Sequence, residues 1–456
     1  LVFTAPNIDY LMDSPTDFSN FMLREFTIDD GQKRTGPPPT FRVALTHEGT
    51  EAEADAFAKD VERIVREELA LWGEFPTYET NTYTFLSVYL PWASGDGMEH
   101  RNSTSLTAPG ALRNPQQRAQ ILGTVAHEFF HSWNMERLRS AGIEPFDFEH
   151  ADMSDDLWLG EGFTNYFDGL VQARAGFTDL NGFCAELAGV INQVTLSPGR
   201  MFRSAIDMSR LAPFTDAAVS IDRTAWPNLF ISYYTYGQAI GLGLDLTLRD
   251  RSSNKINADD FMRALWAQFG KPGQKEPGKV ATPYTIEGLK ETLAKVSGDR
   301  SFANDFFAKY VEGKQVVDYG RLLERAGLIL RKRAPGRPFV GQVQLQGGGS
   351  GLRVASLVPW QSQLYKAGVA QDDQIVALDG TPTPAVANYD EVLARHKPGE
   401  RIPIRFVRRD GETVNTTILL DEDPRVEIVP FERIGGMLSA EQKAFRDAWL
   451  NSRQRR

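Results

Sequence analysis

The chain has 456 residues, of which 41% are hydrophobic and 24% charged, and its formal net charge at pH 7 is −10. This length suggests two to four domains and is ample for a large core. The acidic balance argues against a nucleic-acid-binding surface, which requires a basic patch. The single cysteine, Cys184, excludes an intramolecular disulfide framework and a cysteine-rich metal site. No apolar run is long enough to predict a membrane span.

The first 110 residues are expected to be rich in strands, with one long helix at residues 51–72. Strand patterns cover residues 21–28, 40–46, 82–91 and 102–108, and a turn is predicted at residues 94–100. Because Leu1-Val2-Phe3 resembles the inside of a strand, we expect the chain to be cut from something longer. The compartment is not determined, although a periplasmic or secreted location is favoured over a cytoplasmic one.

A zinc-binding pattern stands in the helix predicted to begin near residue 115, at residues 127–131 (HEFFH). His127 and His131 are one turn apart on one helix face, so both imidazoles can bind one metal ion. Glu128 follows the first histidine and can take a proton from water. The alternative is a buried helix with a chance pair. It is disfavoured because the chain has only six histidines.

A catalytic zinc needs a third protein ligand. One large class of peptidases carries a third histidine at the position equivalent to 137, but Arg137 stands there and excludes that class. Downstream carboxylates remain, with His150 as an outside option. The candidates are Glu136, Glu149, Asp155, Asp156 and Glu161. Glu161 and Asn165 stand four apart on a predicted helix, so Asn165 could accept the N–H of a ligand histidine.

Residues from about 155 to 330 are predicted to be mostly helical. The predicted helices cover residues 161–175, 180–195, 235–250, 257–269, 285–296, 301–311 and 318–327. The basic, proline-bearing stretch 331–338 predicts a linker, and residues 338–422 are rich in strand patterns. The last segment, 423–456, predicts one helix with Ser439 and Gln442 in capping-box spacing, packed back onto the body.

Two of these stretches together resemble the gluzincin metallopeptidases. They are residues 127–134 (HEFFHSWN) and residues 158–167 (WLGEGFTNYF). The resemblance implies that His127, His131 and Glu161 hold Zn²⁺ and that Glu128 is the catalytic base. The separation of the two stretches exceeds the usual one, so an insertion is expected around residues 138–153.

Residues 97–100 (GMEH) resemble the exopeptidase motif of the aminopeptidase branch, with histidine replacing the usual asparagine. The resemblance implies that Glu99 binds the free amine of the substrate, with Gly97 and Met98 beside it. The flanking edge strand would pair with the peptide backbone. The competing interpretation is an ordinary turn.

Residues 233–238 (YYTYGQ) resemble the segment that supplies a tyrosine to the oxyanion, and Tyr234 has the matching position. A phenol donor at that place stabilises the transition state. The competing interpretation is a core tyrosine, because three tyrosines stand in this segment.

Residues 351–380, with the block AGVAQDDQIVALDG at their end, are similar to a PDZ domain. Such domains add a peptide's terminal strand to a sheet edge. The loop near residues 339–341 departs from the usual carboxylate-binding form. Taken together, the motifs resemble the glycyl aminopeptidase family of PDZ-bearing metallopeptidases, whose members also carry an N-terminal β domain that has no counterpart in this sequence.

This resemblance implies an α+β fold with a thermolysin-like catalytic domain, made of a mixed-sheet lobe and a helical lobe, followed by a β-rich PDZ-like domain. The expected boundaries are a β-rich lobe at 1–110, a helical zinc-binding lobe at 111–335, a PDZ-like domain at 338–422 and a C-terminal tail at 423–456.

The first functional hypothesis is a zinc aminopeptidase that acts on peptides with a free N-terminus and favours glycine or other small residues. The second hypothesis is an endopeptidase that recruits peptide or protein termini through the PDZ-like domain. The third is a non-catalytic PDZ scaffold, which the intact HExxH motif disfavours.

Overall fold

The computed structural model describes residues 2–33, 36–215, 226–273 and 276–454. It has a mixed α+β architecture, as the sequence predicted. The strands are β1 (Met22–Thr27), β2 (Thr40–His47), β3 (Thr82–Tyr89), β4 (Asp96–His100), β5 (Ser103–Ala108), β6 (Leu328–Lys332), β7 (Pro338–Phe339), β8 (Leu345–Gly348), β9 (Gly351–Val354), β10 (Gln374–Leu378), β11 (Thr381–Pro382), β12 (Arg401–Val407), β13 (Thr413–Leu419), β14 (Asp421–Glu422) and β15 (Val426–Pro430).

The helices dominate the middle of the chain. They are α1 (Ile8–Met12), α2 (Glu51–Trp72), α3 (Pro115–Phe130), α4 (Leu157–Arg174), α5 (Leu180–Leu196), α6 (Ala205–Ser209), α7 (Ala212–Thr215), α8 (Trp226–Leu229), α9 (Tyr233–Ser252), α10 (Ala258–Leu265), α11 (Ile286–Ser297), α12 (Arg300–Phe306), α13 (Tyr319–Glu324), α14 (Gln363–Lys366), α15 (Val386–Ala394) and α16 (Ala440–Leu450). Within the described residues, none of them combines the length and the apolar character needed to cross a membrane.

The first sheet has five strands in the order β1-β2-β3-β5-β4. Its three central strands are parallel, and β1 and β4 are antiparallel strands at its edges. The prediction of a turn at 94–100 was wrong for its last five residues, because residues 96–100 form β4. The glycine and aspartate there resemble a turn locally, but pairing with β5 decides the conformation, a long-range effect that the local pattern does not contain.

The longest helix, α2, has the predicted bounds because both of its ends carry strong local signals. Thr50 and Glu53 form a capping box at its start. Gly73 ends it with φ 88°, a left-handed conformation that glycine adopts without strain. The helix buries an apolar face that includes Phe57 and Val61 in the main core.

Two glycines let α4 and α9 approach each other closely. A Cβ atom on Gly237 would lie 1.9 Å from the carbonyl oxygen of Trp158, and one on Gly162 would lie 2.3 Å from the Cα of Gly237. Because no side chain keeps the backbones apart, the start of α9 reaches the part of α4 that carries Glu161. The glycines therefore bring the motif at residues 158–167 and the motif at residues 233–238 together.

Residues 338–422 contain a second hydrophobic core, separate from the main one, with buried side chains from Val340 to Leu420. Its sheet has the order β13-β12-β10-β9-β8, with β11 paired to β10. Strands β12 and β13 pair antiparallel as a hairpin, in agreement with the strand patterns predicted for residues 338–422.

The segments that flank this unit belong to the main body. The predicted linker at 331–338 is partly wrong, because Arg331 and Lys332 are in β6, which pairs antiparallel with β15. The predicted last helix is confirmed as α16, with a capping box at Ser439 and Gln442. Its Trp449 is 0% exposed in the main core. At the other end of the chain, Val2 and Phe3 lie in no strand, and Leu1 is outside the described residues.

Candidate metal centre and active site

Three side chains converge at the end of α3. The Nε2 atoms of His127 and His131 lie 3.1 Å apart, and each lies 3.3 Å from Oε2 of Glu161 on α4. Donor atoms bound to one zinc ion at about 2.0–2.1 Å in tetrahedral geometry are separated by about 3.3–3.4 Å. The spacing of these three atoms therefore fits a single zinc ion.

The outer nitrogens of the two histidines strengthen this fit. His127 Nδ1 lies 2.9 Å from Oδ2 of Asp168, and His131 Nδ1 lies 2.9 Å from the carbonyl oxygen of Asn134. Both partners are acceptors, so each Nδ1 carries a proton that it donates outward, and each Nε2 faces the other candidate ligands. Two ring nitrogens and one carboxylate oxygen that face one another at these distances fit a metal cation between them.

The prediction that Asn165 accepts a histidine N–H is wrong. Among the described residues both Nδ1 atoms already have acceptors, and Asn165 forms no hydrogen bond with either ring. The residue that the sequence reasoning missed is Asp168. It lies seven positions after Glu161 and hence on the same side of α4, two turns further along.

Asn134 is a second residue without a predicted role. Its side-chain amide donates to the carbonyl oxygen of Gly160 at 2.9 Å and to Oγ1 of Thr164 at 3.1 Å. Its own carbonyl accepts from His131. Asn134 therefore connects the loop after the first motif to the beginning of α4, where Glu161 stands.

The charges of the three candidate ligands are strongly interdependent. Burial acts to raise the pKa of Glu161, but the imidazoles of His131 and His127 outweigh it and hold this pKa well below its usual range. Burial acts to lower the pKa of His131, but the carboxylates of Glu161 and Glu99 raise it to about 9. The carboxylates thus favour positive charge at this point, as a metal-binding site requires.

The other residues that the sequence offered as a third metal ligand do not join the cluster of His127, His131 and Glu161. Glu136 is buried beside Arg139, and Asp156 accepts from the hydroxyl of Ser140. Asp155 forms an ion pair with Arg210 on the surface. Glu149 and His150 are exposed, and the ring of His150 contacts Asp147.

Arg137 stands where the three-histidine class of peptidases has its third metal ligand. Here it is buried and holds neighbouring segments together. Its guanidinium donates to the carbonyl oxygens of Ser132 and Arg101 at 2.9 and 2.8 Å and to that of Thr77 at 3.0 Å. These bonds join the loop after His131 to the sheet lobe.

Glu128 faces the same space as the candidate ligands. It is 5% exposed, and its Oε2 atom is buried without a hydrogen-bond partner in the part of the chain that the structure describes. Burial raises the pKa of this carboxyl to about 8, against the lowering influence of His127 and His131. An orphaned carboxylate oxygen of this kind is suited to accept a proton from a molecule that enters the site.

The predicted amine anchor lies beside this base. Carboxylate oxygens of Glu99 and Glu128 and a ring nitrogen of His131 lie within 4.8 Å of one another. Burial raises the pKa of Glu99. Gly97 lies against the base, since a Cβ there would be 2.2 Å from Oε1 of Glu128. The side chain of Met98 is 52% exposed on the same edge strand.

Tyr234 lies beside the first of the candidate ligands, His127. Its ring centroid is 6.0 Å from that of His127, and its helix starts at the cap residue Ser232. Of the three tyrosines in this segment, Tyr233 and Tyr236 are each 2% exposed and belong to the core. Tyr234 is the partly exposed one, and the structure places it by the site.

Comparison with known proteins gives a family for the part of the chain that carries the candidate metal ligands, Glu128 and Tyr234. Residues 120–240 match the M61 glycyl aminopeptidase family. The matched range includes Glu128, the three candidate ligands and Tyr234, and it ends before the second core. The resemblance to the glycyl aminopeptidase family is confirmed for residues 120–240.

The fold agrees with this assignment. A crystal structure of an aminopeptidase N family protein from Idiomarina loihiensis is similar with a TM-score of 0.74 and 24% identity, covering 95% of this chain and 71% of that chain. A serine endoprotease from Yersinia pestis aligns with 24% identity over 19% of this chain and 29% of that one, and its TM-score of 0.16 supports no conclusion. No curated protein sequence matches the chain.

Proposed function

We propose that the protein is a zinc-dependent aminopeptidase that hydrolyses the first peptide bond of peptides with a free N-terminus. The observation that carries the proposal is the convergence of His127, His131 and Glu161. Two further carboxyl groups, those of Glu99 and Glu128, lie beside this cluster. The family that matches residues 120–240 supports glycine as the favoured first residue.

The chain's own residues divide the work in this proposal. Glu99 binds the α-ammonium group, because an ammonium in a buried site needs a fixed anion. The outer edge of β4 pairs with the peptide backbone, as free strand edges do. Glu128 accepts the proton of the attacking water at its free oxygen and donates it to the departing amine. Tyr234 donates its phenol hydrogen to the oxyanion.

His127, His131 and Glu161 would hold the ion. Zn²⁺ bound there supplies Lewis acidity that favours ionisation of water and polarises the scissile carbonyl. Asp168 and the carbonyl of Asn134 keep both imidazoles in the tautomer that a metal requires.

We also propose that residues 338–422 act as a PDZ-like domain that binds peptide termini. One sequence feature, the block at 367–380, and one structural feature, the separate core, support it. If this unit recruits peptide termini, the enzyme could act as an endopeptidase, with recruitment independent of Glu99. Substrates with and without a blocked amine distinguish the two activities.

The test uses glycyl, alanyl and leucyl amides, each with a free and with an acetylated amine, before and after zinc removal by a chelator. We expect hydrolysis of the free glycyl amide, loss with the chelator and recovery with Zn²⁺. Glu128→Gln should keep the zinc and lose hydrolysis by roughly 10²–10⁴-fold. Equal cleavage of acetylated substrates would refute the amine anchor, and full activity of Glu128→Gln would refute the base.

A further inference from the structure

A broad, open cleft lies beside the proposed catalytic base and runs between α3, α4 and α5. Its volume is about 780 Å³. The side chains that line it are mostly polar and include Gln120, Thr124, Asn165, Gln172, Thr178 and Glu186. His127, Glu128 and Asp168 also line it, so the cleft is continuous with the site.

The cleft lies on the side of the base away from the amine anchor. Glu99 is next to His131, at the end of α3, and neither residue lines the cleft. The cleft follows α3 in the opposite direction, past His127 to Thr124 and Gln120. An extended peptide advances about 3.3 Å per residue. A peptide held by its amine at Glu99 therefore places its scissile bond at Glu128 and its second residue at the mouth of the cleft.

The charge of the cleft is one-sided. Glu128, Asp168 and Glu186 contribute carboxylates, and its described lining contains no lysine or arginine. Asp168 is engaged by His127, and the site uses Glu128. Glu186 is thus the carboxylate left to meet a substrate side chain.

Glu186 is held in a defined position. The side-chain amide of Gln238 on α9 donates to its Oε1 atom at 2.9 Å. Gly169 on α4 makes room for it, because a Cβ there would lie 2.5 Å from the same oxygen. A half-buried carboxylate fixed in this way binds a cation more strongly than a freely moving surface carboxylate does, since less side-chain entropy is lost.

We propose that this cleft binds the side chain of the second substrate residue and that Glu186 selects lysine or arginine there. The inference rests on the proposed aminopeptidase function and adds a substrate class to it. The ammonium or guanidinium group would reach Glu186, and its aliphatic stem would lie along Thr124 and Gln172. The cleft opens at the buried Oε2 atom of Glu128, which has no hydrogen-bond partner among the described residues, so the cleft leads directly into the proposed catalytic site.

The test compares glycyl-lysine amide with glycyl-norleucine amide, which has the same stem without the ammonium group. For the zinc-loaded enzyme at pH 8 we expect kcat/KM to be roughly tenfold higher for the lysine substrate. Glu186→Gln should bring this ratio close to one, and Glu186→Asp, which retains the charge, should keep a preference for lysine. The exposed Glu48, replaced by glutamine, is the matched control and should leave the ratio unchanged.

A wild-type ratio of one or less would overturn the selection, and so would an unchanged ratio in Glu186→Gln. Both results require hydrolysis of glycyl-norleucine amide, so the proposed function would survive them. Absence of hydrolysis of either substrate by the zinc-loaded enzyme would refute the proposed function, and the inference with it. Circular dichroism of each variant verifies that it is folded.

Discussion

Replacement of Asp168 by asparagine should weaken zinc binding without disturbing the three ligands. The Oδ2 atom of this carboxylate lies 2.9 Å from Nδ1 of His127, and its side chain is 17% exposed, so water screens the bond little. Hydrogen bonds to charged groups contribute about 1.5–3 kcal/mol. A loss of ~2 kcal/mol corresponds to a roughly 30-fold weaker Kd for Zn²⁺, within the 10–100-fold range for partners of metal-bound histidines.

The measurement is competition for Zn²⁺ against a chromophoric chelator at fixed pH, with metal content determined independently. Asn165→Ala is the matched control, because Asn165 lies on the same helix and forms no hydrogen bond with either ligand histidine among the described residues. Its Kd should stay within twofold of the wild-type value. If Asp168→Asn also stays within twofold, or if Asn165→Ala weakens binding equally, the assignment of the outer partner is refuted.

Three further predictions concern the base, the core and the cleft. Gly97→Ala should lower kcat by roughly 10–100-fold with zinc retained, because the new methyl group meets Oε1 of Glu128 at 2.2 Å; unchanged kcat would contradict this packing. Trp449→Ala should cost about 3–5 kcal/mol in urea unfolding, because the indole is 0% exposed, and a cost below about 1 kcal/mol would show that α16 is dispensable. Burial raises the pKa of Glu186 to about 7 from an ordinary 4.5, so the folded state keeps a proton that the unfolded chain releases. The free energy of unfolding should fall as pH rises from about 4.5 to 7, and Glu186→Gln should flatten that part of the thermal-unfolding profile.

The features that could be predicted from the sequence depend on neighbouring residues. The bounds of α2 follow from Thr50 and Gly73, and the start of α3 follows from Asn114 before Pro115. The two histidines and Glu128 form a motif within one helix, so their mutual placement follows from the helical repeat.

The features that could not be predicted depend on how distant elements meet. The choice of Asp168 over Asn165 is set by the rotation of α4 against α3, which no single helix pattern contains. The strand at residues 96–100 exists because β5 pairs with it. The strand at Arg331 forms because this residue pairs with Glu427 in β15. The partner stands almost a hundred positions later, so the local sequence pattern does not reveal it.

The pairing of β6 with β15 makes the second core an insertion into a hairpin rather than an appendage at the end of the chain. Lys332 faces Val426 across this pair, so the unit leaves and re-enters the body through adjacent strand ends. A stop codon placed after residue 337 would remove this unit together with β15 and α16, and with them part of the main core. An internal deletion that joins Lys332 to Val426 through a short turn would leave those elements in place. The two ways of removing the same unit should therefore give opposite results, an unstable body from the first and a folded one from the second.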